Sequence, residues 1–243
     1  MEPLLERLGV SAVYERPLNG DARLVLRDGR LAIEVNPLFP KTRRRLSVAH
    51  ELAHLILNRC AGRDQLYDGH SDPLSERLCD RIAGELLAPE WALRRFFDSA
   101  PSLAAWQDPV RCSTLLSAAR AFAISIDAMA CRVVRDLDFA SGKTAILWRF
   151  SRNSDCAISD PALRVSSAWQ PKATKRFIPL NKTAPKDSVV ATAFVEEGTF
   201  VCDEELSVGG LKGTFHVEAV GFGGKLTQSG SPSSRGVLSL VAA

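Results

Sequence analysis

His50-Glu51-Leu52-Ala53-His54 carries the residue types and spacing of a metal-dependent hydrolytic site. Residues four apart on a helix lie on one face, a turn apart, so two imidazoles can hold one divalent cation from the same side. The carboxylate beside the first His then faces the space where water is activated and can serve as general base. Two of the chain's four His sit in this pentapeptide. Zinc in a catalytic site takes three protein ligands and keeps one position open. Glu76-Arg-Leu-Cys-Asp80 offers the third, because Glu76 and Asp80 lie one turn apart on a following helix. If that face meets the first helix, Glu76 ligates, and Asp80 accepts a hydrogen bond from the far nitrogen of a ligand His and fixes its tautomer. An ion held there polarises water. Glu51 takes the water's proton as it attacks a peptide carbonyl, then passes the proton to the leaving amine. Two His and one carboxylate suit Zn²⁺ and also Mn²⁺. His70 competes with Glu76 as third ligand, but its loop is less rigid and brings no carboxylate partner, so Glu76 is preferred. Tyr67 and His70 are the candidates to stabilise an oxyanion, although polar loop residues more often face solvent. His216 falls in a predicted strand and reads as structural.

These residues need rigid elements to position them. Leu46, Ala49, Ala53 and Leu57 recur at helical spacing, as do Val48, Leu52, Leu55 and Ile56, so the spacing predicts a helix over 43–59 that is apolar on most of its surface and therefore buried. Polar groups on a buried helix must be satisfied, and a metal would satisfy these. A polar loop over 60–74 precedes a second helix, capped by Asp72 or Ser75 with Pro73 in its first turn and ended by Pro89. Further helices are expected over 89–98 and, broken near Ser125, over 110–136. Ahead of the first long helix come a short helix and strands. Residues 22–27 and 31–35 alternate apolar and polar around an Asp28-Gly29 turn. After residue 141 the texture turns β-rich, with strands expected over 145–150, 189–195, 214–220 and 237–241. Arg gives way to Lys at the same place: 18 Arg and one Lys precede it, five Arg and seven Lys follow. The expectation is an α+β protein with a metallopeptidase domain over 1–140 and a smaller β-rich accessory domain over 141–243.

The bulk properties fit a globular chain of 243 residues, one large domain or two small ones. A net charge of +3 is too small to argue nucleic-acid binding. No stretch of about 18 apolar residues spans a membrane, and the acid-containing start Met1–Arg7 is no signal peptide, so a cytoplasmic chain is expected. The six Cys form no C-x-x-C pair and read as free, mostly buried thiols. Six basic residues between Arg164 and Lys186, and five acids between Glu196 and Glu205, read as solvated faces in preference to a docking surface. Glycine-rich runs at 209–213 and 221–224 read as turns.

Arg45-Leu-Ser-Val-Ala-His-Glu-Leu-Ala-His-Leu-Ile-Leu57 resembles the zinc-helix signature of the ImmA/IrrE metallopeptidases. Glu76-Arg-Leu-Cys-Asp-Arg-Ile-Ala-Gly-Glu-Leu-Leu-Ala-Pro89 resembles their second signature, E-x-x-A-N/D-x-F-A-x-x-L-L-x-P, with Cys79 and Ile82 where the family usually has Ala and Phe. The strand end Val35-Asn36 fits, and residues 122–129 are similar to the family's helix-turn-helix-like part. The resemblance covers roughly residues 20–140. It implies a zincin-like, gluzincin-type domain whose small antiparallel sheet packs on the H-E-x-x-H helix. It also implies zinc- or manganese-dependent cleavage of a cytosolic protein. The usual target is a helix-turn-helix repressor whose loss switches on a mobile-element or stress regulon. Some members add a C-terminal α/β sensor domain of GAF type, for which residues 141–243 are a divergent candidate. The competing reading is a non-catalytic regulator that binds DNA or a repressor. Arg111, Arg120, Arg132 and Arg135 would support DNA contact, but Asp127, Asp136 and Asp138 offset them. A dead enzyme would have lost Glu51 or a ligand, and none is missing, so catalysis is favoured over DNA binding.

Overall fold

The computed structural model describes residues 2–62, 72–99, 110–140, 142–151, 162–174, 176–196, 198–223 and 236–242. The chain forms two compact units, Met1–Arg94 with Arg120–Ser125, and Arg95–Ala119 with Ile126–Ala243. The compositional change near residue 141 lies inside the second unit.

The first unit begins with α1 (Glu2–Arg7), β1 (Val10–Glu15), β2 (Ala22–Arg27) and β3 (Arg30–Val35), followed by α2 (Lys41–Cys60) and α3 (Pro73–Leu87). The strands β2 and β3 form the expected hairpin. Its turn residues Asp28 and Gly29 have φ of 51° and 72°, the left-handed pair that matches the twist of paired strands. The sheet order is β1-β3-β2, and β1 runs parallel to β3. The antiparallel sheet expected from the family resemblance is therefore a mixed one. The physical reason is the segment between β1 and β2, which carries the chain across to the far edge instead of closing a hairpin. Asn36 pins that segment, since its Nδ2 donates to the carbonyls of Leu18 and Gly20 at 2.9 and 3.0 Å.

Alternation in β3 turns Ile33 and Val35 inward, against Val48, Leu52 and Leu55 of α2. These three helix positions form one apolar stripe. The other face of β3 carries Glu34, buried beneath Arg16, Arg23 and Arg27, with Arg23 at 2.8 Å and Arg27 at 3.0 Å. Asp21, just ahead of β2, accepts two hydrogen bonds from Arg43 of α2, at 2.6 and 3.0 Å. Sheet and helix are thus held both by an apolar seam and by charge at its end.

The second unit holds α5 (Cys112–Ala121, its last two residues in the first unit) and α6 (Ile126–Ala130), which continues as a π-helical segment, Cys131–Asp136. Between α3 and α5 lies α4 (Glu90–Ser99), divided between the units. Then come β4 (Thr144–Ser151), β5 (Ala162–Trp169), α7 (Val189–Val195), β6 (Thr199–Val208), β7 (Leu211–Phe222) and β8 (Gly236–Ala242). The strands form one antiparallel sheet in the order β5-β4-β8-β7-β6. One face packs Trp148, Val217, Val237 and Val241 against Val190, Ala193 and Phe194 of α7. Cys112 of α5 meets the other face, where its thiol donates to the carbonyl of Glu218 at 3.2 Å.

Residues 189–195 form a helix, not the strand that their β-branched content predicts. Ser188 caps the helix, accepting from the backbone N–H of Ala191, and Glu204 of β6 accepts from the N–H of Val189 at 2.8 Å. Gly221 of β7 makes room for the helix, because a Cβ there would stand 2.2 Å from the Ala193 carbonyl oxygen. The turn expected at 209–213 is confined to Gly209-Gly210, and Gly221 lies within β7. Of the described Cys, all are free thiols, but only Cys79 and Cys112 are buried. Among the described residues no single helix is long and apolar enough to cross a membrane.

The guanidinium of Arg23, hydrogen-bonded to Glu34, holds the Glu34 carboxyl below the usual carboxylate range, against the opposing effect of burial. A lowered folded-state value makes the stabilisation complete above the ordinary value of 4.5 and removes it as pH falls through the lowered one. Glu34→Gln is therefore expected to lower the Tm at pH 7, with the gap to the parent chain narrowing steadily in acid; thermal scans across that range check it.

Candidate metal centre

The site is built from one face of α2 and one face of α3. Asp72 caps α3, its Oδ1 accepting from the N–H groups of Leu74 and Ser75 at 2.8 and 3.1 Å, with Pro73 opening the helix. The cap fixes where α3 begins and places Glu76 in its first turn, where a negative charge is favoured by the helix dipole. On α2, the apolar stripe that faces the sheet leaves His50, Glu51 and His54 along its flank.

His50, His54 and Glu76 converge. The Nε2 atoms of the two imidazoles lie 3.1 Å apart. Glu76 Oε2 is 3.1 Å from His50 Nε2, and its Oε1 is 3.5 Å from His54 Nε2. Bonds of 2.0–2.1 Å in a tetrahedral site put neighbouring ligand atoms about 3.3 Å apart; the two imidazole nitrogens lie near that spacing, and each has one of the two Glu76 oxygens near it as well. Among the described residues this is the one group of three potential ligand side chains whose donor atoms all lie within 4.8 Å. The donor set fits a divalent cation of the zinc type, and could also hold manganese.

The far side of each imidazole is also held by α3. His50 Nδ1 is 3.0 Å from Asp80 Oδ1, which settles which His Asp80 meets. His54 Nδ1 is 3.3 Å from Cys79 Sγ. The Asp80 hydrogen bond raises the pKa of His50, outweighing burial, with added pull from Glu51 and Glu76. Burial lowers that of His54, helped by the charge on His50 and opposed by Glu76 and Asp80. The Cys79 thiol is pushed up to about 12 by burial and the surrounding carboxylates.

Burial raises the carboxyl of Glu51 above the usual carboxylate range, opposed by His50 and by a hydrogen bond from the backbone of Leu24, and reinforced by Glu76. A carboxyl raised in this way holds its proton more tightly than a free one. Leu24 lies on β2, an edge of the three-stranded sheet.

Tyr67 and His70 lie outside the described residues. His216 sits on β7, in the other unit, where its Nδ1 meets Asp203 at 2.8 Å. The structure brings His50, His54, Glu76 and Asp80 together, with Glu51 beside His50 in the chain. The contacts of Cys79 with His54 and of the Leu24 backbone with Glu51 go beyond the sequence expectations. The i, i+3, i+4 relation of Glu76, Cys79 and Asp80 was the available signal for Cys79. For Leu24 no local signal exists, since the contact depends on how sheet and helix pack.

Two His and a carboxylate thus converge on paired helices beside a small sheet. Residues 5–133 match the Peptidase_M78 family model, described as the IrrE N-terminal-like domain, and the chain belongs to that family. Membership suggests peptidase or regulatory function and a generally metal-dependent site. A solved structure, a Mycobacterium tuberculosis transcriptional regulator, is similar with a TM-score of 0.52 at 15% identity, over 99% of this chain and 68% of that one. That likeness is one of fold. No curated protein matches the chain.

Titration of chelator-stripped protein with Zn²⁺, followed by competition with a chromogenic chelator, is expected to give one ion per chain. His54→Ala and Glu76→Ala should each weaken binding by at least ~10-fold, the scale seen when even supporting groups of metal sites are removed. Stoichiometric binding that survives both changes would exclude this cluster as the site.

Proposed function

We propose that the chain is a metal-dependent endopeptidase in which His50, His54 and Glu76 hold Zn²⁺, or Mn²⁺, and Glu51 is the catalytic base. The observation that carries the reading is the convergence of two imidazole nitrogens and one carboxylate, with Glu51 next to His50 in the chain. A bound ion would supply Lewis-acid polarisation of a carbonyl and of water. The chain's own residues supply the rest. Asp80 holds His50 with Nε2 turned toward Glu76. Glu51 takes a proton during attack on a peptide carbonyl and returns it to the leaving amine; its raised pKa suits both transfers. Tyr67 and His70 are proposed to stabilise the oxyanion.

The substrate we propose is a cytosolic regulatory protein, a helix-turn-helix repressor whose cleavage releases a mobile-element or stress regulon. Family membership and the transcriptional-regulator name of the similar solved structure support a regulatory setting. In this reading residues 1–140 form the metallopeptidase domain, zincin-like, and residues 141–243 an accessory domain that senses a ligand, as a GAF-like domain would, or docks the substrate. The same regulator name favours one alternative, a non-catalytic regulator that binds repressor or DNA. The complete set of ligands and base favours catalysis.

Glu51→Gln separates the two. It is expected to keep metal and Tm and to lower cleavage of the native partner by about 10²–10⁴-fold, the range for a lost general base. Full regulatory output from this variant in cells would sink the peptidase reading and leave the non-catalytic one.

A further inference from the structure

We propose that Cys79 is a positioning residue for the metal centre: its sulfur accepts a hydrogen bond from the Nδ1–H of His54 and holds that ring with Nε2 turned toward His50 and Glu76. This rests on the reading of His54 as a ligand.

The argument begins with the ring itself. An imidazole that ligates through Nε2 carries its single proton on Nδ1, and a buried N–H needs an acceptor. His54 is 8% exposed, the most enclosed of the three candidate ligands. Cys79 Sγ stands 3.3 Å from this nitrogen and is itself fully buried. Sulfur is a weak acceptor, and at this distance in a closed space a hydrogen bond to it is geometrically sound.

The placement repeats a pattern already present one turn away. Asp80 meets Nδ1 of His50, Cys79 meets Nδ1 of His54, and Glu76 reaches the Nε2 atoms of both. Three side chains at i, i+3 and i+4 of α3 thus address both imidazoles of α2, and Cys79 completes the set. The two acceptors differ in kind. A carboxylate, exposed to solvent, backs His50; a neutral, buried thiol backs His54. His50 is therefore the more electron-rich ligand, and His54 is oriented by contact more than by charge.

Cys79 lies inside a helix, and alanine is the best helix former, so Cys79→Ala should fold. What it removes is the acceptor. Cys79→Ser restores a small acceptor in the same place. Zn²⁺ affinity is measured by chelator competition for the parent chain and both variants. In the Zn²⁺-loaded proteins, the Nδ1 proton of His54 is followed by proton–nitrogen correlation NMR for its shift and exchange with water. Cys79→Ala is expected to lose about 10–100-fold in affinity, the range for removing such a supporting partner. Its Nδ1 proton should shift and exchange faster, and Cys79→Ser should recover most of both. A Cys79→Ala protein with the parent's affinity and Nδ1 signal overturns the inference while leaving the metal reading intact. So does a loss of affinity with an unchanged Nδ1 signal, which would mark Cys79 as packing only. A parent chain that binds no Zn²⁺ overturns both.

Discussion

A buried imidazole must have its ring nitrogens satisfied, and the arrangement of the first unit follows from how α2 and α3 meet that demand for His54. The ring is largely enclosed, with Cys79 near one nitrogen and His50 and Glu76 near the other. None of these contacts forms unless α3 lies alongside α2 in one register. A one-residue slip of α3 would turn Glu76, Cys79 and Asp80 by about 100° away from the histidines, given 3.6 residues per turn. The Asp72 cap, with Pro73 behind it, fixes where α3 begins and so which residue opens its first turn.

The sheet does for α2 what the cap does for α3. Val48, Leu52 and Leu55 must face Ile33 and Val35, which determines the helix's rotation and turns His50 and Glu51 toward its flank. Arg43 and Asp21 tie the start of the helix to the start of β2. The same contact between β2 and α2 brings the Leu24 backbone to Glu51 and partly offsets the burial that raises its pKa. The packing that closes the core is thus also the packing that sets the surroundings of the Glu51 carboxyl.

The second unit uses acids in a different way. Glu218 of β7 accepts from the N–H of Cys112, and Glu204 of β6 accepts from the N–H of Val189. Each satisfies a backbone donor in the first turn of a helix, donors that a helix leaves without intrahelical partners. The acids at 203–205, read as part of a solvated charged run, thus include one with a structural role. Trp148, fully buried, reaches Ser239 of β8 through its indole N–H at 2.9 Å, so the interior of this unit is also fixed by specific polar contacts.

By itself the sequence determined what depends on short-range periodicity. The i, i+4 spacing of His50 and His54, the i, i+4 spacing of Glu76 and Asp80, the Asp72-Pro73 start and the Asp28-Gly29 turn each follow from local geometry, and each appears where expected. Tertiary structure decided what depends on which surfaces meet. It made β1 parallel to β3, because the partner edge was set by the route of the chain between β1 and β2 and not by any residue in either strand. It made residues 189–195 a helix, because a capping serine, a distant glutamate and a glycine beneath it outweigh β propensity. It also gave Cys79 a partner, since a thiol one turn from Glu76 becomes a neighbour of His54 only when two helices pack in one register.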